Sequence, residues 1–224
     1  MTSSLTPHVA IADYRMGNLF SVANACKSVG MDCTITSDPT LLKRADAVIL
    51  PGVGAFGQAM KTLTNLRLAE ALVTVAETKP VLGICLGMQL LMESSAEFGR
   101  HRGLGLVPGE VIGFESFRGT DGRLLKVPHI GWNTLEINPD TSERLQSTPL
   151  RATRSGAFMY FVHSFYVEPQ DTGIVTSMTR YGTIAFCASF QYRLICGCQF
   201  HPERSGPEGI KIYKAFKETI IENE

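Results

Sequence analysis

A net charge of either sign is the first thing this sequence lacks, with Lys and Arg numbering 21 and Asp and Glu also 21. That balance leaves no bulk electrostatic footprint for nucleic acid or for an anionic membrane surface. Long apolar runs are missing too, since none approaches the ~18 residues that a membrane helix requires. The stretch from Met1 to Pro7 has neither the basic nor the apolar section of a secretory leader. A soluble, cytoplasmic protein is expected. Of the phosphate-cradling patterns, Gly-Lys-Ser/Thr is absent. No repeat, linker or low-complexity tract divides the 224 residues, and a prior of about 100–200 residues per domain predicts one domain over 1–224.

Cysteines are few, at positions 26, 33, 85, 187, 196 and 198. Their number is even, but a chain this long and hydrophobic needs no staples, and reduced thiols fit an intracellular protein. Cys196-Gly197-Cys198 could set two thiols on one strand face. No C-x-x-C pair or second ligand cluster accompanies them, so packed strand cysteines are expected, with no metal and no cofactor.

What the sequence does have is a change of hydrophobic rhythm at Cys85. Val81, Leu82 and Ile84 form a short apolar run behind Pro80, as a buried strand does. Leu86 and Leu90, widened by Leu91 and Met92, read as a helix face. A strand must pass into a helix within Gly83-Ile84-Cys85-Leu86-Gly87, and the two glycines permit a turn sharp enough to project the cysteine. A helix N-terminus beside the sulfur favours thiolate, and the Leu86 N–H would point toward an oxyanion formed by attack of Cys85. An ordinary buried cysteine is the plain alternative.

Upstream, His8 to Ala12, Met31 to Ile35 and Ala47 to Leu50 read as strands. A helix carrying Leu19, Val22, Ala23 and Cys26 and a shorter one at 39–44 alternate with them. Pro51 to Gly57 holds three glycines at a strand's carboxyl end, where open α/β sheets place their binding crevices. Beyond Ser94 the chain turns strand-rich: 106–107, 111–112, 124–125, 135–137, 158–165, 174–178, 184–190 and 194–200 read as strands. A mixed sheet with a small antiparallel layer is expected. A helix with Ile210, Tyr213, Phe216 and Ile220 on its apolar face, started at Ser205-Gly206-Pro207, closes the chain.

At the end of the 194–200 strand stands Gln199-Phe200-His201-Pro202-Glu203-Arg204. His201 and Glu203, two apart on an extended segment, point the same way, so the carboxylate could orient an imidazole that exchanges protons with Cys85. Alone, a surface histidine beside a turn would be the preferred reading.

The glycine loop, the cysteine elbow and this terminal segment, in that order and at strand ends, resemble the class I glutamine amidotransferase family over nearly the whole chain. Within it, six stretches are similar to the glutaminase subunits of imidazole glycerol phosphate synthase. They run from Asp13 to Leu19, Leu50 to Phe56, Gly83 to Gln89, Pro128 to Asn133, Tyr160 to Tyr166 and Gln199 to Ser205. The resemblance implies a flavodoxin-like three-layer α/β fold with a mostly parallel central sheet and a small antiparallel one. It also implies hydrolysis of L-glutamine, with ammonia passed to a (β/α)8 cyclase in a heterodimer. Cys85 becomes nucleophile, His201 general acid/base and Glu203 its orienter. Leu86 and Gly52-Val53-Gly54 would supply oxyanion and substrate amides, while Gln89 and the backbone of Ser164 and Phe165 hold the amino-acid end of glutamine. Asn18, His129, Trp132, Asn133 and Arg204 would lie toward the partner. Two residues depart from the usual pattern: Arg15 stands where relatives carry glycine, and Phe165 where tyrosine is common. A sugar-modifying amidotransferase served by a related subunit, a cysteine hydrolase of other specificity and a silent binding subunit are the alternatives.

Overall fold

The structure, a computed structural model, describes residues 6–114, 124–137 and 145–223. Residues 1–5, part of the stretch read for a leader, lie outside them. The strands β1 (His8–Ala12), β2 (Asp32–Thr36), β3 (Ala47–Leu50) and β4 (Val81–Ile84) pair in parallel in the order β2-β1-β3-β4. Between them lie α1 (Leu19–Ser28), α2 (Pro39–Arg44), α3 (Phe56–Asn65) and α4 (Leu68–Ala76).

The buried runs are apolar on both sides because both faces of the sheet are covered. In β1, Val9 and Ile11 join a core with Val22 and Cys26 of α1 and with Ile212 and Phe216 of the C-terminal helix. Ala10 and Ala12 point the other way, toward Leu42, Leu63 and Leu72 of α2 to α4. Three layers result, and α1 carries its own start signal, the Asn18 side chain accepting from Ser21 N–H at 3.3 Å.

After Cys85 come α5 (Leu86–Leu90), β5 (Met92–Ser95), β6 (His101–Arg102) and β7 (Val107–Gly113). The helix expected to run through Met92 stops at Leu90. Met92 instead pairs in parallel with Val107, and an apolar run such as Leu90-Leu91-Met92 satisfies a buried strand as well as a helix face. Next are β8 (His129–Thr134), β9 (Glu136–Ile137), β10 (Phe158–His163) and β11 (Phe165–Pro169). The 158–165 stretch is therefore two strands divided at Ser164. Residues 129–134, given no secondary structure from sequence, pair with β10 as a two-stranded antiparallel sheet, and Leu124 forms only an isolated bridge.

The chain ends with β12 (Val175–Tyr181), β13 (Ile184–Tyr192), β14 (Ile195–Cys198) and α6 (Gly206–Glu222). β14 enters the central sheet parallel to β4, and β13, β12 and β9 extend it antiparallel to eight strands. A four-stranded sheet, β11-β7-β5-β6, stands apart. The carboxyl ends of β1, β3, β4 and β14 thus meet at one edge, beside the reversal of strand order where open α/β sheets bind ligands. No described helix is long and apolar enough to cross a membrane.

Candidate active site

Cys85 sits at the bend between β4 and α5 with φ +54° and ψ −111°, a left-handed backbone unusual for a side-chain-bearing residue. The surroundings over-determine it. Its N–H donates to Cys198 C=O at 2.7 Å on the neighbouring strand. The glycines flanking it are required by contact: a Cβ at Gly87 would meet the Leu50 carbonyl oxygen, and one at Gly83 would come within 2.9 Å of the Met88 backbone. Five residues make α5 too short for a large macrodipole, so what it offers the sulfur is its first-turn amides, among them Leu86 N–H.

The glycine loop packs directly on this bend. Gly52 lies against the Tyr14 hydroxyl, Leu86 Cβ and Gly87 N, so any side chain there would collide. The Tyr14 hydroxyl donates to Pro51 C=O at 2.7 Å. Burial, and secondarily the charge of the Cys85 sulfur, push its acidity far below that of a free phenol, keeping the donor proton in place. Gly54 adopts φ +114° over Met16. Arg15, the departure from the glycine expected of relatives, takes φ +67°, which explains why glycine suits that position.

His201 and Glu203 come together, though not by strand alternation. His201 is extended, and Pro202–Arg204 forms a 3-10 turn that opens on the proline. Proline's fixed φ suits the first position of a helical turn, so it shapes this one rather than excluding it. The turn brings Glu203 Oε1 to 2.8 Å from His201 Nδ1, with the side chains 2% and 5% exposed. β10 holds the segment: His201 N–H donates to Tyr160 C=O at 2.9 Å, while Ser205 Oγ accepts from Tyr160 N–H at 3.0 Å and donates to His201 C=O at 2.7 Å.

His201 Nε2 is buried with no partner in hydrogen-bond geometry, but the Cys85 sulfur is its dominant neighbour. Burial opposes charging of the ring; the charge of the nearby sulfur, and then Glu203 by hydrogen bond and charge, outweigh it and lift the imidazole from 6.5 to about 10. The sulfur also lies 3.7 Å from Val162 C=O and 3.7 Å from Gln199 Nε2. A cysteine sulfur beside an imidazole that a carboxylate orients is an arrangement that can serve covalent acyl transfer.

The sulfur opens into a cavity of about 580 Å³ lined by Val53, Gly54, Cys85, Leu86, Gln89, Ser164 and Phe165, all named from sequence. Gly52 stands behind this wall instead of on it. Gln89 Nε2 already donates to Phe165 C=O at 2.8 Å and to Gln199 Oε1 at 3.1 Å. Ser164 C=O accepts from Phe114 N–H and Phe165 C=O from His163 Nδ1, so the carbonyls of the backbone expected to hold the amino-acid end are engaged internally. Sequence reasoning missed Glu97, Phe98, His163 and Pro128 on the cavity wall. Glu97 accepts from Phe56 N–H at the start of α3. A lone acid in the loop after β5 was its only signal.

Of the five residues assigned to a partner face, Trp132 is 56% exposed and Asn18 and Arg204 are exposed. His129 is not: it is 3% exposed and stacked on Tyr181 at 4.2 Å, because its side chain points to the opposite side of β8 from Ile130 and Trp132. It bonds His163 Nε2 through Nδ1 at 3.1 Å. Asn133 is half-buried and donates to Arg180 C=O at 2.8 Å. Among the described residues no group of three or more His, Cys, Asp or Glu side chains is placed to hold a metal ion.

Residues 10–219 match the family model of class-I glutamine amidotransferases. The chain is 43% identical over 209 residues to the imidazole glycerol phosphate synthase subunit HisH of Geobacter metallireducens, covering 93% of this chain and 96% of that one. It is 44% identical over 213 residues to the same subunit of Caldanaerobacter subterraneus subsp. tengcongensis, covering 95% and 98%. Among solved structures it is similar to a glutamine amidotransferase (TM-score 0.69, 17% identity, 95% and 98% covered) and to PurLQS of Thermotoga maritima (TM-score 0.65, 20% identity, 95% and 98% covered). Strand order, cysteine elbow, sequence identity and coverage agree, and the chain belongs to the class-I glutamine amidotransferase family.

Proposed function

We propose that this protein is the glutaminase subunit of an imidazole glycerol phosphate synthase, hydrolysing L-glutamine and delivering ammonia to a (β/α)8 cyclase subunit in histidine biosynthesis. The observation that carries the reading is the thiol–imidazole–carboxylate set of Cys85, His201 and Glu203, whose sulfur faces a cavity roomy enough to admit a free amino acid. The relatives' printed names supply the synthase.

In this reading the Cys85 thiolate attacks the side-chain amide carbon of glutamine. Leu86 N–H and an amide of the Val53-Gly54 loop receive the oxyanion. His201 gives its Nε2 proton to the leaving nitrogen, the C–N bond breaks, and ammonia departs from a γ-glutamyl thioester. Water then attacks, His201 takes its proton, and the C–S bond breaks to give glutamate and the starting thiolate. Among the described residues Gln89 Oε1 accepts no hydrogen bond, so it and the Glu97 carboxylate are available to the substrate's ammonium.

The docking face in this reading is the outer side of β8 and β10. Ile130, Trp132 and Phe158 expose an apolar patch there, Trp132 packs edge-on to Tyr160, and the Arg204 guanidinium lies 4.5 Å over the Tyr160 ring. Tyr160 is bonded to the His201 backbone, which supports coupling between docking and chemistry. The glycine loop presents an oxyanion amide only when its peptides are turned suitably, so activity alone should be weak. The test is glutamate release with and without a (β/α)8 cyclase, using amide-labelled glutamine. Partner-dependent turnover with the label in the cyclase product is expected. Equal rates in both states, or transfer of the label only to a sugar phosphate by another synthase, would overturn the reading.

A further inference from the structure

Gln199 is fully buried, just past the end of β14 and two residues before His201, and the proton transfers described above do not use it. Its amide joins two groups of the site: Oε1 accepts from Gln89 Nε2 at 3.1 Å, and Nε2 donates to Cys85 Sγ at 3.7 Å. The orientation follows from the network. Gln89 Nε2 also donates to Phe165 C=O at 2.8 Å, which identifies it as the nitrogen. The Gln199 atom opposite must then be oxygen, leaving the NH2 group toward the sulfur.

The sulfur therefore has neighbours of opposite preference. Val162 C=O, at 3.7 Å, is an acceptor and suits the neutral thiol. A donor from Gln199 suits the anion, because a hydrogen bond to the charged form stabilises that form. Gln89, which holds the Gln199 amide, lines the cavity.

We propose that Gln199 is a positioning residue for the nucleophile: its amide holds the Cys85 thiolate, and Gln89 holds that amide, so ligand contact at Gln89 reaches the sulfur through a relay of two amides. This rests on the acyl-transfer reading of the site. The relay also gives Gln89 a second role beyond lining the substrate cavity.

The experiment compares iodoacetamide alkylation of Cys85 in full-length wild type, Gln199→Met and Gln199→Glu, read on the Cys85 peptide by mass spectrometry. Losing one hydrogen bond to an anion should slow alkylation of Gln199→Met about tenfold near pH 7. Glutaminase kcat should fall about tenfold with KM changed less than about twofold. Gln199→Glu is isosteric and regains a donor when protonated, so its alkylation rate relative to wild type should climb as pH falls from about 8 to about 6. A merely structural role gives no such slope. Wild-type alkylation in Gln199→Met, or a Gln199→Glu ratio independent of pH, would overturn the proposal. If Gln199→Met fails to fold, the pH slope of Gln199→Glu decides alone. Alkylation needs no glutamine, so a wild type that is alkylated as expected yet releases no glutamate even with the cyclase present would end the glutaminase reading without touching this one.

Discussion

The Tyr14 hydroxyl, donating to the Pro51 carbonyl at 2.7 Å, ties the exit of the first strand to the glycine loop beside Cys85. Tyr14→Phe keeps the ring and leaves that buried carbonyl without its donor, at a cost of ~1–3 kcal/mol. The loop peptide is also freed, so kcat for glutamine hydrolysis should fall about tenfold with KM nearly unchanged. Chemical denaturation and steady-state kinetics check both. A destabilised variant with unchanged kcat would mean that Tyr14 serves the fold alone.

Glu203→Gln removes a charge that helps raise His201 to about 10. In the proposed mechanism His201 gives its proton to the leaving ammonia, so activity should be lost as pH rises through its pKa. Wild type should hold kcat/KM up to about pH 10, and the alkaline limb of Glu203→Gln should move to lower pH. A raised histidine also stabilises the fold, fully below about 6.5 and progressively less as pH rises through about 10. An unmoved alkaline limb would separate Glu203 from the function of His201.

His129 and His163 behave oppositely. Burial holds His129 at about 4 and, with lesser repulsion from His129 and His201, His163 at about 3. Each stays neutral in a chain from Asn133 through both rings to Phe165 C=O. Their contribution to stability is present above about 6.5 and is lost as pH falls through the folded values of about 4 and 3. Unfolding free energy should therefore drop on acidification, and His129→Gln/His163→Gln should flatten that dependence. Equal slopes in both proteins would contradict the assignment.

Arg15 has φ +67°, a conformation that costs a side-chain-bearing residue ~1–2 kcal/mol. Arg15→Gly should leave stability unchanged or raise it by less than ~1 kcal/mol, whereas Arg15→Val should lower it. Thermal unfolding distinguishes the two, and a Val variant as stable as Gly would show that the loop relaxes elsewhere.

Much of this site was legible because chemistry and backbone rule coincided at the same residues. Gly83 and Gly87 signalled a sharp turn, and contact distances show the backbone needing both. His201 and Glu203 were joined by proximity in sequence, although a 3-10 turn, not an extended strand, brings them together. What escaped the sequence depends on tertiary neighbours. Leu90 to Met92 fits helix and buried strand alike until its pairing with β7 is seen. Glu97 and Gln199 gain meaning only from what they face, and His129 was placed toward the partner by resemblance, the alternation along β8 that turns it inward being unreadable without a known strand.

Whether Cys85 is a nucleophile driven by His201 is decided by labelling with a glutamine-mimicking diazo-ketone in the presence of the cyclase, followed by peptide mass mapping. One label per chain is expected on Cys85, none in Cys85→Ala, and labelling slowed at least ~100-fold in His201→Ala. An unlabelled Cys85, label spread over the other cysteines, or a wild-type rate in His201→Ala would contradict it.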